Sequence, residues 1–335
     1  MYRMKKDLIQ SLFLVGMLVH SSCHSDENIT TQVQPQVYLM FSVGGLGDGG
    51  YNDQILRGVQ HTATQHPDVH ISFSSPVSME KAEKTFKEWV NEKENGKSLF
   101  ILAGSEYEQL ATRYADKITA LPQNRDVLLF ESQNSQKLPV YSFQLSMYGA
   151  SYLSGKSVSY MGCTAPLAIT GNANDATLQW AIDGFQDGYG EKIATESLAE
   201  DWKGYAMADE VYKRMFDYTK SYDYFFGLAG GSNYGIYRYL REYPNGRIWT
   251  AGMDVEQSNL TMKMTGSIVK HIDQLIQDYL DNWIAGNEMP EHETYGLESY
   301  YIEWSVSPHY KDFFGNFVEE NIQEAIRKEK EYENK

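Results

Sequence analysis

Residues 44–53 have the sequence Gly-Gly-Leu-Gly-Asp-Gly-Gly-Tyr-Asn-Asp and follow directly on an apolar run at 37–43. A strand that ends in a glycine-rich turn and continues into a helix is the first unit of Rossmann-like α/β folds. Gly45, Gly47 and Gly50 also fit the G-x-G-x-x-G pattern of dinucleotide sites. Asp48 disfavours that interpretation, because it would place a negative charge beside a pyrophosphate. The strand predicted at 70–74 also lacks the acidic residue that would hold the ribose, so we expect no nicotinamide cofactor.

Short apolar runs recur along the chain and predict buried strands of parallel sheets. They lie at 37–43, 99–103, 127–130, 167–170, 224–228 and 248–252. Amphipathic helical patterns separate them, including 105–118, which begins with the capping box Ser105 and Glu108, and 272–283. The Glu- and Lys-rich tail from Asn321 predicts a solvated terminal helix. Strands and helices alternate over about 300 residues, which is more than a single hydrophobic core usually contains. We therefore expect an α/β fold with two Rossmann-like lobes and parallel sheets.

The composition disfavours several classes of function. The formal charge of −16, from 45 acidic and 29 basic residues, argues against a nucleic-acid partner. The eight His residues form no H-E-x-x-H pattern and Cys163 has only Cys23 as a possible partner, so we expect neither a metal site nor a disulfide framework. Ser232 does not fit a nucleophile elbow, because Tyr234 stands where glycine is needed. The number of carboxylates does not exclude a catalytic pair like that of glycosidases. Cys163 is either a reactive thiol or, because its neighbours are small and apolar, an unreactive buried one.

The amino-terminal segment has the features of an export signal. Three basic residues precede an apolar stretch at 8–19, and small residues precede Cys23. We predict a signal peptide at 1–22, lipidation of Cys23 and a polar tether at 23–36, which would make the protein an exported membrane lipoprotein facing the periplasm or the cell exterior. The alternative is an ordinary cleaved signal with an incidental cysteine.

Six blocks of sequence resemble, in the same order, the basic membrane protein family of lipoprotein substrate-binding components, which includes the bacterial purine nucleoside receptor. They are Gly45–Gln54, Tyr148–Gly155, Asp183–Gly188, Asp223–Gly231, Met253–Gln257 and Thr265–Lys270. The resemblance implies a type I periplasmic-binding-protein fold at 37–335, with the ligand in the cleft between two lobes. Lobe 1 would comprise roughly 37–145 and part of the carboxyl-terminal region, and lobe 2 roughly 146–265.

The family's ligand-binding positions carry over to Asp48, Tyr51, Asn52, Glu131, Trp202, Asp254 and Lys270. The two aromatic residues would stack on the faces of a nucleoside base, and Asp254 would accept hydrogen bonds from the ribose hydroxyls. Asp48, Asn52 and Glu131 would contact polar groups of the base, and Lys270 would lie in the cleft. This sequence departs from the family pattern at Gly47, which replaces an Asp, at the longer Glu131 and at Tyr51, which replaces the common Phe. These departures leave the base preference open.

Six of these seven residues, all but Glu131, also have a plain structural interpretation. Asp48 would cap the following helix, Asn52 would satisfy the turn, Tyr51 and Trp202 would be core aromatics, Asp254 would cap a loop and Lys270 would be solvated. Our leading hypothesis is a monomeric binding protein, not an enzyme, that delivers a nucleoside, preferably a purine nucleoside, to an ABC permease or a sensor. A sugar receptor of the same fold, a nucleoside or glycoside hydrolase, and an interaction lipoprotein with a degenerate cleft are the alternatives.

Overall fold

The computed structural model describes residues 34–93 and 96–335, so the predicted signal peptide and Cys23 lie outside the described residues. Twelve strands are found in this part of the chain: β1 Gln36–Phe41, β2 His70–Ser74, β3 Ser98–Ala103, β4 Arg125–Phe130, β5 Tyr141–Leu145, β6 Pro166–Asn172, β7 Ala194–Ala199, β8 Tyr224–Leu228, β9 Trp249–Asp254, β10 Met264–Lys270, β11 His292–Tyr295 and β12 Ile302–Val306. The α-helices of the same residues are α1 Tyr51–Gln65, α2 Met79–Asn91, α3 Glu108–Arg113, α4 Ala115–Thr119, α5 Tyr148–Tyr160, α6 Thr177–Tyr189, α7 Ala208–Tyr218, α8 Tyr234–Glu242, α9 Ile272–Ala285 and α10 Lys311–Glu333.

The strands form two six-stranded sheets, which define the two lobes. The sheet of lobe 1 has the order β11-β5-β4-β3-β1-β2 and is entirely parallel. The sheet of lobe 2 has the order β12-β10-β9-β8-β6-β7 and is parallel except for β12, which runs antiparallel to β10. In both sheets the first strand of the lobe lies inside and the second strand lies at the edge. This order is that of doubly wound α/β folds, which confirms the predicted class.

Helices cover the sheets, so that the central strands are buried on both faces. Every residue of β3, β6, β8 and β10 is buried. One apolar cluster packs α2, α3 and α4 against lobe 1, and a second packs α7 and α8 against lobe 2. The largest cluster joins α1 and α9 to α5, α6 and α10 and spans both lobes. Added side chains at Gly184 and Gly188 would collide with the backbone of α5, so these glycines allow α5 and α6 to lie in direct backbone contact.

The chain crosses between the lobes three times. It leaves lobe 1 between β5 and α5, returns between β10 and α9, and leaves again between β11 and β12. As a result β11, far along the sequence, pairs with β5 in lobe 1 through the register His292 to Ser142. No helix of residues 34–93 and 96–335 combines the length and apolarity needed to cross a bilayer.

One local prediction is wrong and a second is wrong in part. The capping box at Ser105 does not form, because 105–107 make a 3₁₀ turn without a side-chain cap, and the helical pattern divides into α3 and α4. The tail forms the predicted terminal helix, but one face of it is not solvated, because α10 begins at Lys311 and packs on α5. Its residue Glu329 is only 2% exposed.

Glu329 connects two of the three crossovers. One carboxylate oxygen accepts hydrogen bonds from Ser146 Oγ at 2.6 Å and Gly149 N at 2.9 Å, at the first crossover. The other accepts from Leu297 N at 2.7 Å, at the third crossover. Because a carboxylate is an acceptor only, it can satisfy all three donors at once. The carboxyl-terminal helix thus fixes the geometry of the segments on which the two lobes are joined.

We expect Glu329→Ala to lower the free energy of unfolding by several kcal/mol, because each buried donor left unpaired costs about 1–3 kcal/mol. Glu331→Ala is the matched control, since Glu331 lies on the same helix with an exposed side chain paired to Arg327. Surface changes of this kind stay within about 0.5 kcal/mol. Urea unfolding of both variants measures the difference. Equal stability of the two variants would show that Glu329 does not hold the crossovers.

Candidate functional site

A cleft lies where the carboxyl ends of the two sheets face each other. The space between protein atoms in the cleft and its open mouth is about 920 Å³. Lobe 1 contributes the β1–α1 loop and the residues that follow β3 and β4. Lobe 2 contributes residues after β6 and β8 and the ends of β9 and β10. Carboxyl ends of parallel strands are where α/β sheets hold ligands. All seven predicted ligand-binding residues line this one cleft.

The glycine-rich loop is organised by its own two aspartates. Asp48 accepts hydrogen bonds from the backbone N–H groups of Gly50, Asn52 and Asp53 and from the Asn52 side chain, at 2.9–3.3 Å. Asp53 accepts from Gly47 N at 2.8 Å and Gly49 N at 2.9 Å. These are the N–H groups that a pyrophosphate would need, so the loop does not present them to a dinucleotide. The structural interpretation of Asp48 as a helix cap is confirmed; its direct contact with a ligand stays a prediction.

Asn52 is buried and joins the loop to the first strand. Its side-chain oxygen accepts a hydrogen bond from Ser42 N at 3.1 Å, while its amide nitrogen donates to Asp48. Asn52 therefore holds the turn, as its structural interpretation predicts. Its position on the cleft wall also leaves open the predicted contact with a ligand.

Lys270 lies at the centre of the cleft and is shared by two carboxylates. Its ammonium nitrogen is 2.9 Å from Glu131 Oε1 and 3.6 Å from Asp254 Oδ1, and all three residues are less than 10% exposed. Glu131 belongs to lobe 1 and Lys270 ends the last parallel strand of lobe 2, so this ion pair joins the lobes. The other Glu131 oxygen accepts from Leu145 N at 3.1 Å. The prediction of a solvated Lys270 is therefore wrong.

Both carboxylate residues have backbone conformations that side chains disfavour. The φ angle is +53° at Glu131 and +68° at Asp254, in the left-handed region. Such residues cost about 1–3 kcal/mol each and are concentrated at functional sites. Asp254 is held in place by its backbone carbonyl, which accepts a hydrogen bond from Gln54 Nε2 at 2.6 Å across the lobes. The strain thus falls on the residues that point carboxylates at Lys270.

Burial and neighbouring charges shift the proton affinities of this group. Burial raises the pKa of Asp254 to about 6, with a smaller contribution from the negative charges of Asp48 and Glu131, while Lys270 partly opposes the rise. Burial alone would lower the pKa of Lys270, but Glu131 and Asp254 outweigh it and raise that pKa to about 12. Lys270 therefore stays charged, and the carboxyl group of Asp254 titrates close to neutral pH.

Aromatic side chains form part of the cleft wall. Trp202 stacks on Tyr205 with ring centroids 5.7 Å apart and planes at 19°. Tyr205 is fixed because its hydroxyl donates to Asp175 at 2.6 Å. Tyr51 begins α1, and the Lys270 ammonium lies 5.4 Å from its ring centroid. Tyr51 and Trp202 are both half-buried and face the cleft rather than being enclosed in the core.

Several lining residues were missed from the sequence, chiefly Glu106, Asp175, Tyr205 and Gln257. Glu106 is buried and accepts a hydrogen bond from Val43 N at 2.9 Å, and burial raises its pKa. Its position just after a predicted strand was a usable signal. Gln257 orders the end of β9. Its side-chain oxygen accepts a hydrogen bond from Met253 N at 3.0 Å, and its backbone N–H donates to Ser267 Oγ.

Two residues considered for catalysis have structural surroundings. Ser232 donates its hydroxyl to Gly204 O at 2.6 Å and accepts from Met207 N at 2.6 Å. Cys163 is buried, and burial together with the charge of Asp223 raises the pKa of its thiol to about 12, which leaves it protonated and unreactive.

Solved structures share this architecture. The ABC transporter solute-binding protein of Aeropyrum pernix K1 superposes with a TM-score of 0.66 at 15% identity, over 88% of this chain and 86% of that one. The periplasmic component of an ABC-type sugar transport system from Hahella chejuensis gives 0.59 at 13%, over 81% and 99%. A solute-binding protein of Burkholderia graminis C4D1M in complex with D-arabinose gives 0.60 at 13%, over 84% and 98%. At these identities the likeness shows the fold alone.

Comparison with curated protein sequences finds no significant match. The family model of PnrA-like ABC transporter substrate-binding proteins, Bmp, matches residues 36–335, which is nearly all of the described chain. Substrate-binding proteins of ABC systems work outside the cytoplasm and deliver small molecules to a permease. The chain belongs to the Bmp family of ABC transporter substrate-binding proteins.

Proposed function

We propose that this protein captures a nucleoside, preferably a purine nucleoside, in the cleft between its lobes and releases it unchanged to an ABC permease or a sensor. The observation that carries the proposal is the buried group of Glu131, Lys270 and Asp254 at the floor of an aromatic-walled cleft. A carboxylate held in a dry cleft accepts two neighbouring ribose hydroxyls in charge-assisted hydrogen bonds. The aromatic wall supplies a flat surface for the base.

The proposed contacts divide between the lobes. Asp254 binds the ribose and Lys270 lies beside it, while Tyr51 and Trp202 stack on the base, each stack contributing about 1–3 kcal/mol. Glu131 contacts a polar edge of the base, and Asp48 and Asn52 act there chiefly by shaping the loop. A ligand that contacts both lobes favours the closed arrangement, because it binds that state more tightly.

A sugar is the second candidate, favoured by the stack of Trp202 on Tyr205, since sugars also pack on aromatic faces. Aromatic stacking alone does not distinguish a sugar from a nucleoside. A free pentose, however, lacks the base that would stack between Tyr51 and Trp202. Calorimetry with nucleosides and pentoses distinguishes them. A hydrolase is the alternative of another class, and it would release free base from the nucleoside, whereas a binding protein returns it intact.

We expect Asp254→Asn to weaken nucleoside binding about 5- to 150-fold while leaving the fold intact. One of the two acceptors for the ribose hydroxyls is lost, at about 1–3 kcal/mol for an unpaired buried group. Asparagine suits the test because it tolerates the left-handed backbone that Asp254 adopts. Isothermal calorimetry measures affinity, and thermal unfolding checks the fold.

The control for Asp254→Asn is Asp126→Asn, a carboxylate outside the cleft that accepts a hydrogen bond from Trp283 Nε1 at 2.8 Å. A 2′,3′-dideoxynucleoside completes a double-mutant cycle, because it should bind wild type weakly and be almost indifferent to the change at 254. If the losses of binding free energy from Asp254→Asn and from removal of the ribose hydroxyls are additive, Asp254 does not contact the ribose.

Nucleoside affinity should depend on pH through Asp254. Its pKa is raised to about 6, and the ribose hydroxyls need the ionised form. Protonation therefore competes with the ligand: affinity should be constant above about pH 7 and fall by up to about tenfold per pH unit below 6. Asp254→Asn should flatten this profile. Calorimetry between pH 5 and 8 makes the comparison, and a flat wild-type profile would contradict the assignment.

We also propose that the protein is anchored to the membrane by acyl chains on Cys23. Cys23→Ser should move it from the membrane to the soluble fraction, because a peptide tether alone has no bilayer affinity. Cys163→Ser is the matched control, as that cysteine is buried in the fold. Radioactive palmitate should label the wild-type protein and Cys163→Ser, but not Cys23→Ser. Equal labelling of all three proteins would refute the anchor.

A further inference from the structure

Tyr51 has a hydroxyl group without a hydrogen-bond partner within the described residues. The oxygen is buried, although the side chain as a whole is half-buried and lines the cleft. Buried polar groups are almost always paired, because an unpaired one loses its hydrogen bonds to water with nothing in return. An unpaired hydroxyl at a ligand cleft is therefore a place to look for a ligand contact.

Three carboxylates that line the cleft already have partners within the chain. Glu131 pairs with Lys270 and Leu145, Asp48 with the start of α1, and Glu106 with Val43. The nearest comparison is Tyr205, which lines the same cleft and donates its hydroxyl to Asp175 at 2.6 Å. The chain thus satisfies one tyrosine of the cleft internally and leaves the other to be satisfied from outside.

The ring of Tyr51 has a charged neighbour. The Lys270 ammonium lies 5.4 Å from the ring centroid, and that ammonium is itself held by Glu131 and Asp254. A cation over an aromatic face is attracted to it, so this contact favours the observed orientation of the ring.

The surroundings of the hydroxyl determine what it can bind. Burial, and then the negative charges of Glu131, Glu106, Asp254 and Asp48, raise the pKa of Tyr51 well above its ordinary value. The hydroxyl therefore stays protonated and is a donor. The same negative charges repel an anionic acceptor such as a phosphate or carboxylate. An uncharged acceptor remains, which is a carbonyl oxygen, a ring nitrogen or a hydroxyl oxygen.

We propose that the Tyr51 hydroxyl donates a hydrogen bond to an uncharged acceptor of the bound ligand and thereby selects among ligands of similar shape. The inference rests on the proposed function for the kind of ligand, and it adds a contact that phenylalanine at this position would not make. Sites built to hydrogen-bond a ligand group discriminate strongly against analogues that lack it.

Calorimetry with inosine, adenosine, guanosine, uridine, D-ribose and D-arabinose on wild type, Tyr51→Phe and Tyr205→Phe tests the proposal. For the tightest ligand of wild type, Tyr51→Phe should weaken binding about 5- to 150-fold. Without ligand, its melting temperature should be unchanged or higher, because an unpaired buried group is removed. Tyr205→Phe should instead lower the melting temperature, since it breaks an internal hydrogen bond.

Equal affinity of wild type and Tyr51→Phe overturns the inference and leaves the proposed function standing. A fall in ligand-free melting temperature as large as that of Tyr205→Phe also overturns it, because the hydroxyl would then have a structural partner. If pentoses bind and nucleosides do not, the nucleoside proposal fails, and the comparison of wild type with Tyr51→Phe is made on the pentose. If no panel member binds wild type, both are overturned.

If inosine binds, its analogues locate the acceptor. 7-Deazainosine and the 2′-, 3′- and 5′-deoxyinosines each lack one candidate acceptor. The analogue that lacks the acceptor of Tyr51 should bind wild type and Tyr51→Phe equally, while the others keep the full difference. 3-Deazainosine and nebularine, which lack N3 and the 6-oxo group respectively, complete the series. Should every analogue keep that difference, no base acceptor and no ribose hydroxyl is the partner of Tyr51, and the inference is wrong.

Discussion

One buried ammonium group, shared by carboxylates from two lobes, is the interaction on which the site depends. Lys270 ends the last parallel strand of lobe 2, directly before the chain returns to lobe 1, and Glu131 follows a strand of lobe 1. Removing one partner of such a buried pair leaves a charge uncompensated, at about 3–5 kcal/mol. The pair therefore links the two lobes at the floor of the cleft, and both carboxylate residues that contact Lys270, Glu131 and Asp254, have left-handed backbone conformations.

The electrostatics of the cleft fit an uncharged, donor-rich ligand. Among the described residues that line it are five carboxylates, of Asp48, Glu106, Glu131, Asp175 and Asp254, and a single cation, Lys270. Most of these carboxylates accept hydrogen bonds from backbone or hydroxyl donors of the chain. The side chain of Asp254 has, within residues 34–93 and 96–335, a single polar contact, with Lys270 at 3.6 Å. A neutral molecule with neighbouring hydroxyls matches that group, while an anionic ligand would find no free cation among the described lining residues.

Much of the fold could be predicted because its central strands are short apolar runs. The cleft residues Asp254 and Glu131 were predicted from the resemblance to the family. The strand β7 could not be predicted, because it lies at the exposed edge of its sheet and has no apolar pattern. The strand β11 could not be predicted either, because it pairs with β5, about 150 residues away in the sequence. Glu106 was not predicted as a cleft residue, because the capping box predicted at Ser105 and Glu108 placed it in the first turn of a helix. Glu329 was hidden in a charged tail, because its three donors come from distant crossovers that only the tertiary structure brings together.

A crystal structure of the protein grown with inosine tests the central claim most directly. The account predicts one intact inosine in the cleft, its ribose hydroxyls within hydrogen-bond distance of Asp254 and its base against Tyr51 or Trp202. Inosine bound elsewhere, free hypoxanthine in the cleft, or a ribose turned away from Asp254 would contradict it.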